Sequence, residues 1–343
     1  MKKKNIALGF ALATACAVSI APAQAKEKLN VLCAADEEWC NLMKSTFEKE
    51  SGVDVSMVRK SSGEIFAHIK AEARNPKVDI WWGGTGDPHL QAAAEGLTTE
   101  YKSKQIDALL EWAQNQAKEG NYKTVGIYAG ALGIGYNEEL LKSKGLPAPK
   151  CWADLTDPVY KGEVQMANPN SSGTAYTTLA TVVQVFGEEK GFEFMAGLHA
   201  NINQYTKSGS APIKAAARGE TTLAITFMHD MVKQVKKGFP IKVVAPCEGT
   251  GYEVGSMSII KGARNLENAQ KFAEFALRPD IQSMAEQAKA YQVPSNSGST
   301  VPEGAPKLTE IKLINYDFAE YGSSDTRKRL LKRWDDEIKS LPR

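Results

Sequence analysis

The residues best suited to chemistry in this chain concentrate between Thr206 and Glu253. The stretch opens with Thr206-Lys207-Ser208-Gly209-Ser210-Ala211-Pro212, runs through a predicted strand ending at His229-Asp230, and closes with Glu248-Gly249-Thr250-Gly251-Tyr252-Glu253. A hydroxyl-rich turn followed by Pro212 and Ala215-Ala216-Ala217 predicts a helix N-terminus, because serine caps well and proline fits the first helical turn. The free N–H groups and positive dipole end of such a terminus suit a phosphate or carboxylate. His229, Asp230 and Glu253 add imidazole and carboxylate groups able to fork onto hydroxyls. A site built from both sets would hold an anion at one end and a polyol at the other.

Similar turns recur upstream at Ser61-Ser62-Gly63, at Gly83 to Asp87 with Thr85, and at Asn168 to Thr174 with Ser171, Ser172 and Thr174. Any one of them reads equally as an ordinary helix cap. Three serine turns in one chain, each with glycine beside serine, point further, since a backbone nest can then approach an oxyanion closely. The candidate anion contacts are therefore Ser61, Ser62, Thr85, Ser171, Ser172, Thr174, Ser208 and Ser210. Lys60 and Lys207 flank two of the turns, but no arginine or lysine is built into them, so the expected donors are N–H and O–H groups rather than paired charge. His229-Asp230 has a plain alternative as a structural pair at a strand end. A metal is not expected, because only three candidate ligands stand there and none has close ligand spacing.

These residues need elements to position them. From Lys26 onward, short apolar runs alternate with amphipathic ones: strands at Leu29 to Ala34, Val53 to Val58 and Val78 to Trp82, with helices from Glu37, from Ser61 and after Asp87. Strand, helix and strand with short turns predict parallel βαβ units, whose ligands sit beyond the carboxyl ends of the strands. That rule selects Ala34-Ala35-Asp36, Ser61 to Gly63 and Gly83 to Asp87. Val125 to Tyr136 and Glu253 to Ile260 read as extended crossings. Between them lies a second α/β region, with strands at Lys161 to Met166, Leu223 to Phe227 and Ile241 to Ala245. From Asn265 the chain reads as mostly helical. The division places residues 26–126 and 256–343 in one lobe and 127–255 in the other, with hinge crossings near 125–136 and 251–259.

Residues 1–25 differ from the rest. Lys2-Lys3-Lys4, an apolar run from Ile6 to Ile20 and Ala23-Gln24-Ala25 form a secretory signal with an A-x-A cleavage site, which predicts a periplasmic mature chain starting at Lys26. Cys16 is an alternative lipoprotein acceptor, although Ala13 stands where a larger aliphatic residue is usual. With 343 residues, 43% of them hydrophobic, the chain has ample material for two folded lobes. Losing the three signal lysines takes the formal net charge from +2 to about −1, which excludes the basic face a nucleic-acid partner requires. Cys33, Cys40, Cys151 and Cys247 remain, an even number in an exported chain, consistent with two disulfides in one of three connectivities. Lobe membership favours Cys33 with Cys40 and Cys151 with Cys247.

Taken together, Ala131-Leu-Gly-Ile-Gly-Tyr-Asn137, Trp152-Ala-Asp-Leu-Thr-Asp-Pro158, Ser172-Gly-Thr-Ala-Tyr176, Ser208-Gly-Ser-Ala-Pro212 and Glu248-Gly-Thr-Gly251 resemble the solute-binding proteins of ABC importers, in the ferric-iron-type group. The resemblance implies a two-lobed, type II periplasmic binding protein fold with two parallel-rich sheets joined by two crossover segments. It further implies a monomer without cofactor or enzymatic activity that closes on a small ligand and docks on an inner-membrane permease. Iron-binding members use adjacent tyrosines after the strand matching Leu223 to Ile225. Here Thr226-Phe227-Met228-His229-Asp230 stands instead, and this is similar to the sugar-phosphate-binding members, which implies that His229, Asp230 and Glu253 clamp sugar hydroxyls. A phosphorylated sugar such as a hexose 6-phosphate is the expected ligand. Ferric iron and a phosphonate are the alternatives in this class. A secreted phosphatase is the alternative outside it, and it would need a nucleophile elbow or metal cluster that the sequence does not display.

Overall fold

The computed structural model describes residues 27–342, so the signal segment and Cys16 lie outside the described residues. Ten strands form one hydrogen-bonded path: β1 (Lys28–Cys33), β2 (Asp54–Arg59), β3 (Ile80–Trp82), β4 (Val125–Asn137), β5 (Val164–Ala167), β6 (Ile202–Thr206), β7 (Leu223–Phe227), β8 (Ile241–Val244), β9 (Tyr252–Ile259) and β10 (Val293–Pro294). The spatial order is β2-β1-β3-β9-β4-β7-β5-β6, with β8 and β10 also pairing to β4. β2, β1 and β3 run parallel, as do β6, β5 and β7. Between these triplets, β4 and β9 lie antiparallel to each other. The first half of β4 pairs with β9, and its second half pairs with β7 and β8. One 13-residue strand thus belongs to both halves of the molecule.

Apolar residues on both faces of the parallel strands form two main cores. The first gathers Trp39, Phe47, Trp82, Tyr128, Phe272 and Phe275 around β1, β3 and the start of β4. The second gathers Trp152, Tyr160, Tyr176, Leu198 and Trp334 around β5 and β7. The first contains a disulfide, Cys33–Cys40, which ties the end of β1 to the helix Glu37–Ser51; Cys151–Cys247 closes a 96-residue separation in the other half, outside its core. Both pairings are those favoured from lobe membership.

Two expectations need correction. His229 and Asp230 do not end a strand: β7 stops at Phe227, and both residues occupy the first turn of the helix Met228–Lys236, which follows without a turn. The chain after Asn265 is helical, as expected, at Leu266–Ala276, Pro279–Gln282, Ser283–Ala288, Phe318–Tyr321, Ser324–Arg333 and Trp334–Ile338, with a largely irregular stretch over 289–317 that is longer than the loop expected there. The tail does not stay with the first lobe, because Tyr316, Leu330, Trp334 and Ile338 pack in the second core. The buried Trp334 indole anchors it there, contacting Tyr205 edge-on. Truncating such a tryptophan costs about 3–5 kcal/mol.

Candidate functional site

A small enclosed cavity lies where loops from both halves meet, and its walls are mostly helix starts. Asp36, Ser61, Thr85, Ser172 and Phe227 are the capping residues of the helices Glu37–Ser51, Ser62–Ala71, Gly86–Ala94, Gly173–Phe186 and Met228–Lys236, and all five line it. These turns follow the carboxyl ends of parallel strands, where the chain emerges with its next N–H groups unpaired. Five positive dipole ends therefore face one space. Glycines allow the close approach. A Cβ on Gly173 would meet Thr85 Oγ1 at 2.0 Å, and one on Gly84, which also has φ +86°, would meet Ser62 Oγ at 2.2 Å.

Opposite the hydroxyls stand His229, Asp230 and Glu253. Glu253 comes from β9, next to Gly130 of β4, and the His229 ring lies so close that a Cβ on Gly130 would sit 2.4 Å from Nδ1. His229 Nε2 is 3.8 Å from Glu253 Oε1 and 3.9 Å from Asp230 Oδ2, beyond hydrogen-bond reach. Asp230 Oδ2 accepts from Thr226 Oγ1 at 3.2 Å. No donor among the described residues lies within hydrogen-bond distance of Glu253.

Burial controls the protonation of this trio. It depresses His229 to about 3, so the imidazole is neutral and offers one donor and one acceptor. Burial, then the Asp36 carboxylate, raises Asp230. Burial, then the Asp230 and Asp87 carboxylates, raises Glu253 well above its ordinary range. Protonated acids can donate as well as accept, which suits alcohol groups that do both.

Two buried polar atoms on residues that line this cavity, Thr85 Oγ1 and His229 Nδ1, have no hydrogen-bond partner among the described residues. Buried polar atoms are nearly always satisfied, so such a concentration marks a place where an external group completes the set. The enclosed volume is about 50 Å³. That accommodates a few waters and falls well below the roughly 300 Å³ of a small ligand pocket. The two halves are drawn together across it. Gly63 N–H donates to Ser171 O at 3.1 Å, Arg59 Nη2 to Ser208 Oγ at 3.1 Å, and Lys233 Nζ to Asp36 Oδ2 at 2.7 Å.

Of the residues singled out from sequence, Ser61, Ser62, Thr85, Ser172, Thr174, Ser210, His229, Asp230 and Glu253 line the cavity, whereas Ser171 and Ser208 do not. Ser171 Oγ donates to Asn168 O and Lys207 O, and Ser208 binds Arg59 outside the cavity. The expectation that no cation faces the site is also corrected, because Arg59 lines it. Arg59 ends β2 at its carboxyl end, a position the strand rule marks; Tyr128 and Gln292 line the site too and carry no local signal. Tyr128 sits mid-strand in β4, and its hydroxyl accepts from Gly84 N–H at 2.7 Å. His89 is structural, bonded to Ser258 and Gly83 and stacked on Trp81.

This geometry has close parallels. The structure of the periplasmic binding protein AfuA from Actinobacillus pleuropneumoniae, with exogenous fructose-6-phosphate bound, superposes with a TM-score of 0.90 at 47% identity, covering 92% of this chain and all of that one. The periplasmic binding protein P5PA gives a TM-score of 0.89 at 38% identity over the same share of this chain and all of its own. A putative 2-aminoethylphosphonate-binding periplasmic protein of Salmonella typhimurium is 24% identical over 80% of this chain and 81% of its own length. The family model for bacterial extracellular solute-binding proteins matches residues 75–321. The chain belongs to that family, and its fold is the two-lobed, type II periplasmic binding protein fold.

Proposed function

We propose that this chain, exported through residues 1–25, captures a phosphorylated sugar such as a hexose 6-phosphate in the periplasm and delivers it as a monomer to an inner-membrane ABC permease. The phosphoryl group meets the helix starts at Ser61, Ser62, Thr85, Ser172, Thr174 and Ser210, while His229, Asp230 and Glu253 hold the ring hydroxyls. No bond is made or broken. The observation that carries this reading is one cavity lined both by Ser61, Thr85 and Ser172 at helix starts and by His229, Asp230 and Glu253, with Thr85 Oγ1 and His229 Nδ1 unpartnered among the described residues. The sugar phosphate in the AfuA structure supports it. Because the cavity is too small for a hexose phosphate as it stands, binding requires the lobes to part and close again.

Thermal melting with a ligand panel tests the proposal. A ligand at about 100 times its dissociation constant adds about 2.7 kcal/mol of stability. Glucose 6-phosphate is expected to raise the melting temperature, with glucose and inorganic phosphate nearly inert. A shift with ferric citrate alone, or with 2-aminoethylphosphonate alone, would overturn the sugar-phosphate assignment in favour of that ligand.

A further inference from the structure

The strongest charge cluster outside the hydroxyl clamp closes the mouth of the cavity. Asp36 follows β1 in the first half. From the second half, Lys233 Nζ approaches its Oδ2 at 2.7 Å, Lys214 Nζ approaches Oδ1 at 3.2 Å, and Ser210 Oγ donates to Oδ1 at 3.3 Å. Lys233 is buried and takes Glu38 as its second carboxylate at 3.0 Å. Burial alone would raise Asp36, but the two lysines outweigh it and hold the group well below the usual carboxylate range.

Two ammonium groups and a hydroxyl converging on one carboxylate constitute a complete anion-binding set. All three donors belong to one half, and the anion they hold belongs to the other. Next to Asp36 lies a second pocket of about 360 Å³, which shares Asp36 and Arg59 with the first cavity and adds Lys214, Ser208 and Asn41 to its walls together with the carboxylates of Glu37 and Glu38. An anionic substituent projecting from a bound ligand toward this pocket would meet Lys214, and Lys233 behind it, only by displacing Asp36.

We infer that Lys214, Lys233 and Ser210 form a second anion-receptive set which Asp36 occupies, making Asp36 a specificity-determining residue that favours ligands with one phosphoryl group over ligands with two. This rests on the sugar-phosphate reading of the cavity. Asp36 does two things at once: it ties the closed lobes together, and its charge repels a second anionic group from the site's mouth. Without Asp36, Lys214 has no carboxylate partner and Lys233 keeps only Glu38.

Isothermal titration of wild type, Asp36→Asn, Lys214→Gln and the Asp36→Asn/Lys214→Gln double variant with glucose 6-phosphate and fructose 1,6-bisphosphate tests the inference, with thermal melts confirming that each variant folds. Wild type is expected to prefer the monophosphate. In Asp36→Asn the preference should shift toward the bisphosphate by about tenfold or more, and the added Lys214→Gln change should remove most of that shift. Glu38→Gln, which leaves Asp36 in place, should keep the wild-type ranking. An unaltered ranking in Asp36→Asn overturns the inference while leaving the sugar-phosphate reading intact. A shift that survives loss of Lys214 also overturns it, since the mouth would then merely have widened. A wild type that binds neither compound removes both the inference and the reading beneath it.

Discussion

Two buried clusters of ionisable side chains differ in how far the protein itself completes their carboxylates. Around Asp87, both carboxylate oxygens accept a hydrogen bond from the protein, although the nearby Arg327 Nη1 has no partner among the described residues. Tyr316 O–H and Thr177 Oγ1 donate to its two carboxylate oxygens at 3.2 and 3.3 Å, and the buried Arg327 guanidinium lies 3.9 Å above the Tyr176 ring; burial raises the Asp87 carboxyl above its ordinary range, with the Arg327 charge opposing the rise. Around His229, Asp230 and Glu253, the protein stops short: Nδ1 has no partner, Glu253 has no donor within reach, and no cation is paired with either acid. A satisfied cluster holds elements together, as Asp87 joins the helices Gly86–Ala94 and Gly173–Phe186 to the C-terminal segment. An unsatisfied one is a cost in the free protein that a ligand can relieve.

The contrast can be broken most forcefully at Arg327. Arg327→Met removes the cation beside a buried carboxylate and is expected to cost about 3–5 kcal/mol of stability by urea denaturation, with no change in ligand ranking. A loss below about 1 kcal/mol would place the two clusters in one class. His229→Ala should do the reverse, weakening glucose 6-phosphate binding by about 1.5–3 kcal/mol, or roughly ten- to a hundredfold, while the unfolding free energy moves by about 1 kcal/mol or less. Calorimetry beside denaturation reads both, and unchanged affinity would detach His229 from the site.

Asp230 sharpens the contrast through pH. Folding raises its affinity for the proton, so above the ordinary value of 3.8 the folded protein retains a proton that the unfolded chain releases. Stability contributed by this group therefore falls as pH climbs from there through the raised value. Asp230→Asn abolishes that loss and should stabilise the ligand-free protein by about 1–2 kcal/mol more at pH 8 than at pH 5. An equal or opposite difference in paired melts would show that Asp230 is satisfied in the free protein. The smallest effect is expected at Ser61: Ser61→Ala should cost about 0.5–1.5 kcal/mol of ligand affinity and about 0.5–1 kcal/mol of stability, because its side chain forms a capping box with Glu64 at the start of the helix Ser62–Ala71.

The hydroxyl half of the site was legible because it is local chemistry: serine and threonine beside glycine after an apolar run are helix starts, and helix starts on parallel sheets face the ligand side. Ser171 and Ser208 lie just before the caps Ser172 and Ser210, and their hydroxyls bond to neighbouring backbone and to Arg59 instead of lining the cavity. Strand β6, Ile202–Thr206, escaped notice because Asn203 and Gln204 interrupt its apolar pattern, which an edge strand bonded only to β5 tolerates. The helix Met228–Lys236 was hidden by its direct junction with β7, so His229 and Asp230 were assigned to a strand end. His229 and Asp230 line the cavity from the helix all the same, because their side-chain chemistry does not depend on which element carries them. Arg59, Tyr128 and Gln292 are brought to the cavity by packing between distant segments, and no local spacing announces that. The tail's return to the second core likewise depends on where Trp334 finds a pocket.

The measurement that bears most directly on the two-ended cavity is a crystal structure of the protein with glucose 6-phosphate. The phosphoryl oxygens are expected against the amides and hydroxyls of Ser61, Thr85 and Ser172, with the ring alcohols on His229 Nδ1, Asp230 and Glu253. A phosphoryl group seated instead on Lys214 and Lys233, or a sugar ring making no contact with His229, would contradict the account.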